Sequence, residues 1–63
     1  MRGPLTAEMA LFRLVNSCMM AQEWTCVITM GNQFAQRHPG SPYLAGVQSS
    51  VRAAEASIRA QQR

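Results

Sequence analysis

The sequence has no lysine and no aspartate, and it contains a single histidine, His38. A serine or cysteine nucleophile needs a base and a group that orients the base, and no aspartate is present to orient His38. The acids Glu8, Glu23 and Glu55 are too far apart in sequence to form a carboxylate pair by local spacing. We therefore predict that the chain is not an enzyme and has no catalytic residues and no cofactor.

Large hydrophobic side chains are also scarce. Leu, Ile, Val and Phe together number 12 of 63 residues, whereas Ala contributes nine and Met five. A chain of this length buries only about 60% of its unfolded surface, so the gain from burial nearly cancels the cost of ordering. Charged residues make up 14% and the net charge is +3, which is too little for charge-driven disorder. We predict one ordered domain, residues 1–63, that is stabilised by association.

The sequence leaves open whether its two cysteines meet. Cys18 and Cys26 are eight residues apart, which places them about 12 Å apart on one continuous helix, beyond the reach of a disulfide. A chain reversal between them would bring them together. We favour two buried, reduced thiols. With one histidine and no aspartate, the chain offers no known metal-ligand spacing, and we predict no metal site.

The distribution of charged residues indicates which partners and which cell compartment to expect. A nucleic-acid-binding chain usually clusters its basic residues on one face, whereas the arginines here are spread along the chain. The uncharged stretch 24–36 is 13 residues long, short of the ~20 that span a bilayer. Glu8 and Arg13 interrupt the apolar N-terminal run, which argues against a signal peptide. We predict a cytoplasmic protein that binds no membrane. The arginines are Arg2, Arg13, Arg37, Arg52, Arg59 and Arg63.

Helical periodicity extends from about residue 6 to residue 38. Thr6 is a suitable N-cap, with Glu8 in the first turn. Two stripes with helical spacing follow, and no residue between them breaks a helix. Residues 6–37 could thus form one helix of about 48 Å, or two helices with a turn near Met20 to Glu23, which we favour. The stripes are Leu11, Leu14, Val15, Cys18 and Met19, then Trp24, Val27, Ile28, Gly31, Phe34, Ala35 and His38.

The segment 38–42, His-Pro-Gly-Ser-Pro, breaks the helix. Ser41 can act as N-cap of a last helix, with Pro42 at its first position. Apolar residues then recur at the three- and four-residue steps of a coiled-coil-like seam. We predict an all-α fold, a helical hairpin or small three-helix unit with helices at about 6–20, 23–37 and 42–61, which associates with another helical chain. The seam contains Leu44, Val47, Val51, Ala54 and Ile58; Ala45, Ala53, Ala56 and Ala60 flank it.

Two segments resemble known families. Residues 24–43 are similar to the second helix and following turn of a tetratricopeptide-like repeat, with Phe34 at the large apolar position and His38-Pro39-Gly40-Ser41-Pro42-Tyr43 as the turn. Val47-Gln48, Arg52-Ala53-Ala54-Glu55 and Ile58 resemble the second helix of short type III secretion needle co-chaperones. That resemblance implies a small cytoplasmic helical protein that, with a tetratricopeptide-like chaperone, keeps a needle subunit from polymerising.

These patterns predict a non-enzymatic protein-protein interaction module that binds a helical partner, with a secretion co-chaperone as its concrete form. An alternative is a small self-associating regulator or inhibitor, of a phage-like kind, that docks on a larger protein. A nucleic-acid-binding dimer is the third and least supported possibility. The predicted partner-binding residues are Trp24, Val27, Ile28, Phe34, Leu44, Val47, Val51, Ala54 and Ile58.

Overall fold

Residues 6–62 fold into three α-helices. The computed structural model describes residues 6–62, and within that range the helices are α1 (Ala7–Met20), α2 (Trp24–Arg37) and α3 (Leu44–Gln61), with no strand. The predicted all-α, three-helix unit is confirmed. Arg2 and Arg63 lie outside the described residues.

The start of α1 follows the sequence prediction. The backbone of Thr6 is extended and its hydroxyl accepts a hydrogen bond from the Met9 N–H at 3.1 Å. This bond satisfies one of the N–H groups that the first helical turn leaves without a partner. Glu8 lies in the first turn, where the helix dipole favours an acid.

A three-residue turn separates α1 from α2, so residues 6–37 form two helices. Gln22 adopts the left-handed conformation with φ 58°. The Glu23 N–H donates to the Cys18 carbonyl at 2.9 Å, and the Gln22 N–H donates to the Met19 carbonyl at 3.0 Å. This is the Schellman pattern of helix termination, with glutamine where glycine is usual.

The turn before α3 differs from the prediction by two residues. The Leu44 N–H donates to the Ser41 carbonyl, and the first α-helical bond runs from the Val47 N–H to the Tyr43 carbonyl. Ser41 Oγ accepts from the Tyr43 N–H at 3.1 Å. Ser41 therefore closes a separate turn instead of capping α3, and Pro42 lies in that turn. Helix ends commonly differ from pattern-based bounds by this much.

Helix α2 lies between the other two helices and packs on both, whereas α1 touches α3 much less. Each helix contributes two buried hydrophobic side chains to the core. Gly31 is also buried, at the contact of α2 with α3. The core residues are Val15 and Cys18 of α1, Val27 and Phe34 of α2, and Val47 and Ala54 of α3.

Two contacts join α1 to the segment just before α3. The rings of Phe12 and Tyr43 stack with their centroids 4.5 Å apart. The Ser41 hydroxyl donates a short hydrogen bond to the Glu8 carboxylate. These contacts fix the N-terminal end of α1 against the second turn, which closes one end of the unit.

Candidate interaction surface and cysteine pair

The nine residues predicted to bind a partner divide into two groups. Four of them, Val27, Phe34, Val47 and Ala54, are at most 1% exposed and form the core of the chain itself. The sequence left open which of the two apolar stripes, that of α2 or that of α3, closes the unit and which meets a partner, and in the structure both supply side chains to the core. The other five are half-buried: Trp24, Ile28, Leu44, Val51 and Ile58.

The half-buried apolar side chains surround the core on all three helices. A core of six buried hydrophobic residues is small, and partly exposed hydrophobic groups pack at its edge. Such an edge keeps apolar surface in contact with water. A helix laid against it would remove that surface from water. The edge residues are Leu11, Phe12, Met19, Trp24, Cys26, Ile28, Met30 and Leu44.

Among residues 6–62, three large apolar side chains are more exposed than the edge residues. Leu14 is 44% exposed, Tyr43 37% and Met20 86%. The apolar stripe of α1 includes Leu14, but the nine predicted partner-binding residues include none of the three. Spacing could not identify them, because Leu14 has the same spacing as its buried neighbours Val15 and Cys18.

An open depression lies between α2 and α3. Its volume is about 320 Å³. Gly31 has no side chain and that of Ala35 is small, which leaves space between the two helices. The half-buried Val51 also lines the depression. The rim is polar and includes Arg52. The lining residues are Gly31, Asn32, Ala35, Gln48, Val51 and Arg52.

The two cysteines form a disulfide. Cys18 and Cys26 are joined with their Cα atoms 5.9 Å apart. The prediction of two reduced thiols is wrong for this structure, and the turn at 21–23 is the reason, because it reverses the chain between them. Cys18 is buried and Cys26 is half-buried, so the bond links the end of α1 to the first turn of α2 at the edge of the core.

An acidic side chain lies beside the cysteine pair. The two sulfur atoms and a carboxylate oxygen of Glu23 all lie within 4.8 Å of one another. Glu23 is the N-cap residue of α2, but its side chain makes no capping hydrogen bond in the structure. The three donor groups Cys18, Glu23 and Cys26 are of the types that bind zinc. The sequence prediction considered only known ligand spacings and missed this group.

Two ring nitrogens are buried without a hydrogen-bond partner among residues 6–62. They are Nε1 of Trp24 and Nε2 of His38. His38 is the C-cap residue of α2. Its backbone N–H donates to the Phe34 carbonyl at 2.8 Å, and the centroids of the His38 and Phe34 rings are 5.4 Å apart. Burial of a polar group without a partner is costly. The indole N–H of Trp24, an edge residue, thus has no hydrogen-bond acceptor within the described residues.

The two segments for which the sequence suggested a family resemblance both contain helix. Residues 24–43 form α2 and the turn after it, and residues 47–58 lie within α3. Within the described part of the chain, no helix combines the length and apolar character needed to cross a membrane. No protein family, curated protein or solved structure matches this chain at a significant level.

Proposed function

We propose that the chain is a non-enzymatic interaction module that binds an α-helix of another protein. The observation that supports this proposal is the edge of half-buried apolar side chains around a core of six residues. Recognition of a helix by an apolar groove buries such an edge and leaves the backbone of both partners hydrogen-bonded. The expected partner is an amphipathic helix whose apolar positions recur at three- and four-residue steps.

The binding surface in this proposal consists of apolar groups that the folded chain leaves partly exposed. On α3, Val51 and Ile58 are half-buried. On α1, Leu14 is 44% exposed. A negative charge at Ile58 would abolish binding, because a partner helix would bury that charge without a counter-charge. Ser49 on the same helix is exposed and provides the control, because a charge there should leave binding unchanged.

A photo-crosslinking amino acid placed at single positions tests the proposal in the cells that make the protein. We expect Leu14 and Ile58 to give one defined crosslinked product each, with the same partner protein identified by mass spectrometry. The exposed position Gln36 on α2 serves as the control and should give none. Equal crosslinking from all three positions would show that the apolar surface selects no partner.

The concrete form of this proposal is a co-chaperone of the type III secretion kind. It rests on the resemblance of residues 47–58 to such a helix. Under this proposal the chain forms a soluble complex with a tetratricopeptide-like chaperone and a needle subunit. Co-expression of the three proteins, followed by size-exclusion chromatography, tests it. A needle subunit that polymerises at the same rate with and without this chain would contradict it.

Self-association is the second candidate, because the same apolar edge can be buried by another copy of the chain. Such a dimer would fit a small regulator that docks on a larger protein. Sedimentation velocity of the purified chain over a wide concentration range separates the two candidates. A stable dimer favours the regulator, and a monomer favours binding to a different helical protein.

We keep a cytoplasmic location as part of the proposal. Disulfides persist in oxidising compartments and are rare in the cytosol, so the Cys18–Cys26 bond gives this location a direct test. Cells are quenched with acid and free thiols are alkylated before extraction. Alkylation of both cysteines would support a cytoplasmic location, and complete protection of both would place the chain in an oxidising compartment.

A further inference from the structure

We propose that the chain binds one zinc ion in its reduced form, through the thiolates of Cys18 and Cys26 and the carboxylate of Glu23. The site and the disulfide exclude each other, because both use the same two sulfur atoms. The chain would thus exchange a covalent link between α1 and α2 for a metal link at the same position.

The backbone explains why the three donors converge. The Glu23 N–H donates to the Cys18 carbonyl at 2.9 Å, which fixes the first residue before α2 against the last turn of α1. Cys26 follows Glu23 by three residues, and residues at this spacing lie on one face of a helix. All three donors therefore lie on the same side of the turn. The hydrogen bonds that form this turn join main-chain atoms and do not involve the sulfur atoms.

The three donors lie close enough together to share one zinc ion once the disulfide is reduced. Zinc binds thiolates at about 2.3 Å and carboxylate oxygens at about 2.0–2.2 Å, which separates the donors by about 3.6–3.8 Å. The three donor atoms here lie within 4.8 Å of one another. The sulfur atoms of any disulfide are about 2.05 Å apart and must separate after reduction, which rotation about the two Cα–Cβ bonds allows. Water occupies the fourth position.

The donor types favour zinc over other common ions. Magnesium and calcium take oxygen ligands, whereas two thiolates with one carboxylate match the mixed ligand sets of zinc. Copper(I) also prefers thiolates, but it would make no use of the Glu23 oxygen. Dependence of binding on Glu23 therefore separates a zinc site from a pair of thiols that binds any soft metal.

The change from the disulfide to the zinc-bound form takes two steps, and electrons and protons balance in each. A dithiol reductant transfers two electrons and two protons to the disulfide, which gives two thiols on the chain and a disulfide in the reductant. Zinc(II) then replaces the two thiol protons, which are released to solvent. Oxidation by a disulfide-bearing oxidant reverses the sequence and releases the ion.

Zinc chloride titration of the full chain tests the site. The chain is reduced with a phosphine, freed of reductant without air, and titrated in competition with a chromophoric chelator. Native mass spectrometry gives the stoichiometry. We expect one zinc per reduced chain and none per oxidised chain. No binding by the reduced chain would overturn the proposal. Half a zinc per chain would overturn it too, because the ion would then be shared between two copies.

The matched variants are Glu23→Gln and Glu55→Gln. Both remove one exposed carboxylate, but Glu55 lies on α3 and does not belong to the group of three clustered donors. We expect Glu23→Gln to weaken zinc binding by at least about tenfold and Glu55→Gln to leave it unchanged. Both variants keep the two cysteines. Circular dichroism verifies that both retain the helix content of the parent chain. Equal affinity of the two variants would show that Glu23 is not a ligand and would overturn the three-donor site.

Cobalt(II) provides a spectroscopic check on the same samples. In a tetrahedral site with thiolates it gives sulfur-to-metal charge-transfer bands and intense d–d bands. The reduced chain should show both, and Glu23→Gln should change the d–d bands. Octahedral d–d bands without charge transfer would contradict ligation by the cysteines.

Discussion

Gly31 of α2 lies so close to Val51 of α3 that a β-carbon at position 31 would overlap the Val51 Cγ2 methyl group. The same β-carbon would lie 3.4 Å from a methyl group of Val47. Helices approach this closely only where one of them has no side chain. Gly31 also lines the depression between α2 and α3, where the missing side chain leaves space.

Gly31→Ala is expected to destabilise the chain. Overpacking costs about 1–3 kcal/mol, and the higher helix propensity of alanine returns only about 1 kcal/mol. Val51 is β-branched, so its methyl groups cannot move away by a free rotation. We expect a net loss of about 1 kcal/mol in the free energy of unfolding, to be measured by urea denaturation followed by circular dichroism.

Gly46 provides the matched control in α3. A β-carbon there would have no neighbour within 4 Å, so Gly46→Ala should raise the free energy of unfolding by about 0.5–1 kcal/mol. Adding Val51→Ala to Gly31→Ala should recover part of the loss, because it removes the overlapping methyl group. Changes of the same sign in Gly31→Ala and Gly46→Ala would show that the helices do not approach as described.

The sequence placed Gly31 in the apolar stripe of α2 but offered no reason for a glycine there. Periodicity identifies the residues that share a face, and it correctly grouped Val27 with Phe34 and Val47 with Ala54. It does not identify what each face packs against. What a face packs against depends on how two helices distant in sequence approach each other. The sequence therefore left open whether the stripe of α2 or the seam of α3 meets a partner, although both supply side chains to the internal core.

Gln22→Gly is expected to stabilise the chain. A non-glycine residue in the left-handed region costs about 1–2 kcal/mol, and glycine avoids this cost but loses some entropy on folding. Because Gln22 has φ 58°, we expect a gain of up to about 1 kcal/mol, visible as a higher Tm. Gln48→Gly, at an exposed site within α3, should lower the Tm. A lower Tm for Gln22→Gly would exclude this turn.

The same turn marks the limit of what the sequence could predict. Thr6 and the segment 38–42 are recognisable because threonine, proline and glycine have strong positional preferences. Gln22 has none, so a reversal between α1 and α2 and a single long helix were both compatible with the residues. The pairing of Cys18 with Cys26 and the position of Glu23 beside them both depend on that reversal, and they were missed for the same reason.

Ser41→Ala is expected to loosen the end of the unit where α1 meets the second turn. It removes the hydrogen bond to the Glu8 carboxylate and the one from the Tyr43 N–H. A hydrogen bond to a charged group contributes about 1.5–3 kcal/mol, less where water can replace it. We expect a loss of about 1–2 kcal/mol on urea denaturation.

A double-mutant cycle with Glu8→Ala and Ser41→Ala isolates the contact between these two side chains, because alanine leaves no acceptor at position 8. A coupling energy above about 0.5 kcal/mol is expected. Thr6→Ala, which removes only the N-cap of α1, should show no coupling to Ser41→Ala. Additive effects of Glu8→Ala and Ser41→Ala would mean that the two side chains do not interact.

Reduction of the disulfide is expected to destabilise the chain without changing its helices. For a loop that closes eight residues of separation, the chain-entropy relation gives about 2.5 kcal/mol. This is a large share of the stability of so small a domain. Urea denaturation with and without a phosphine reductant, in the presence of a chelator that removes zinc, measures the loss as a lower midpoint. A variant with both cysteines replaced by serine should not respond to the reductant. An unchanged midpoint in the parent chain would show that the bond contributes nothing to its stability in solution.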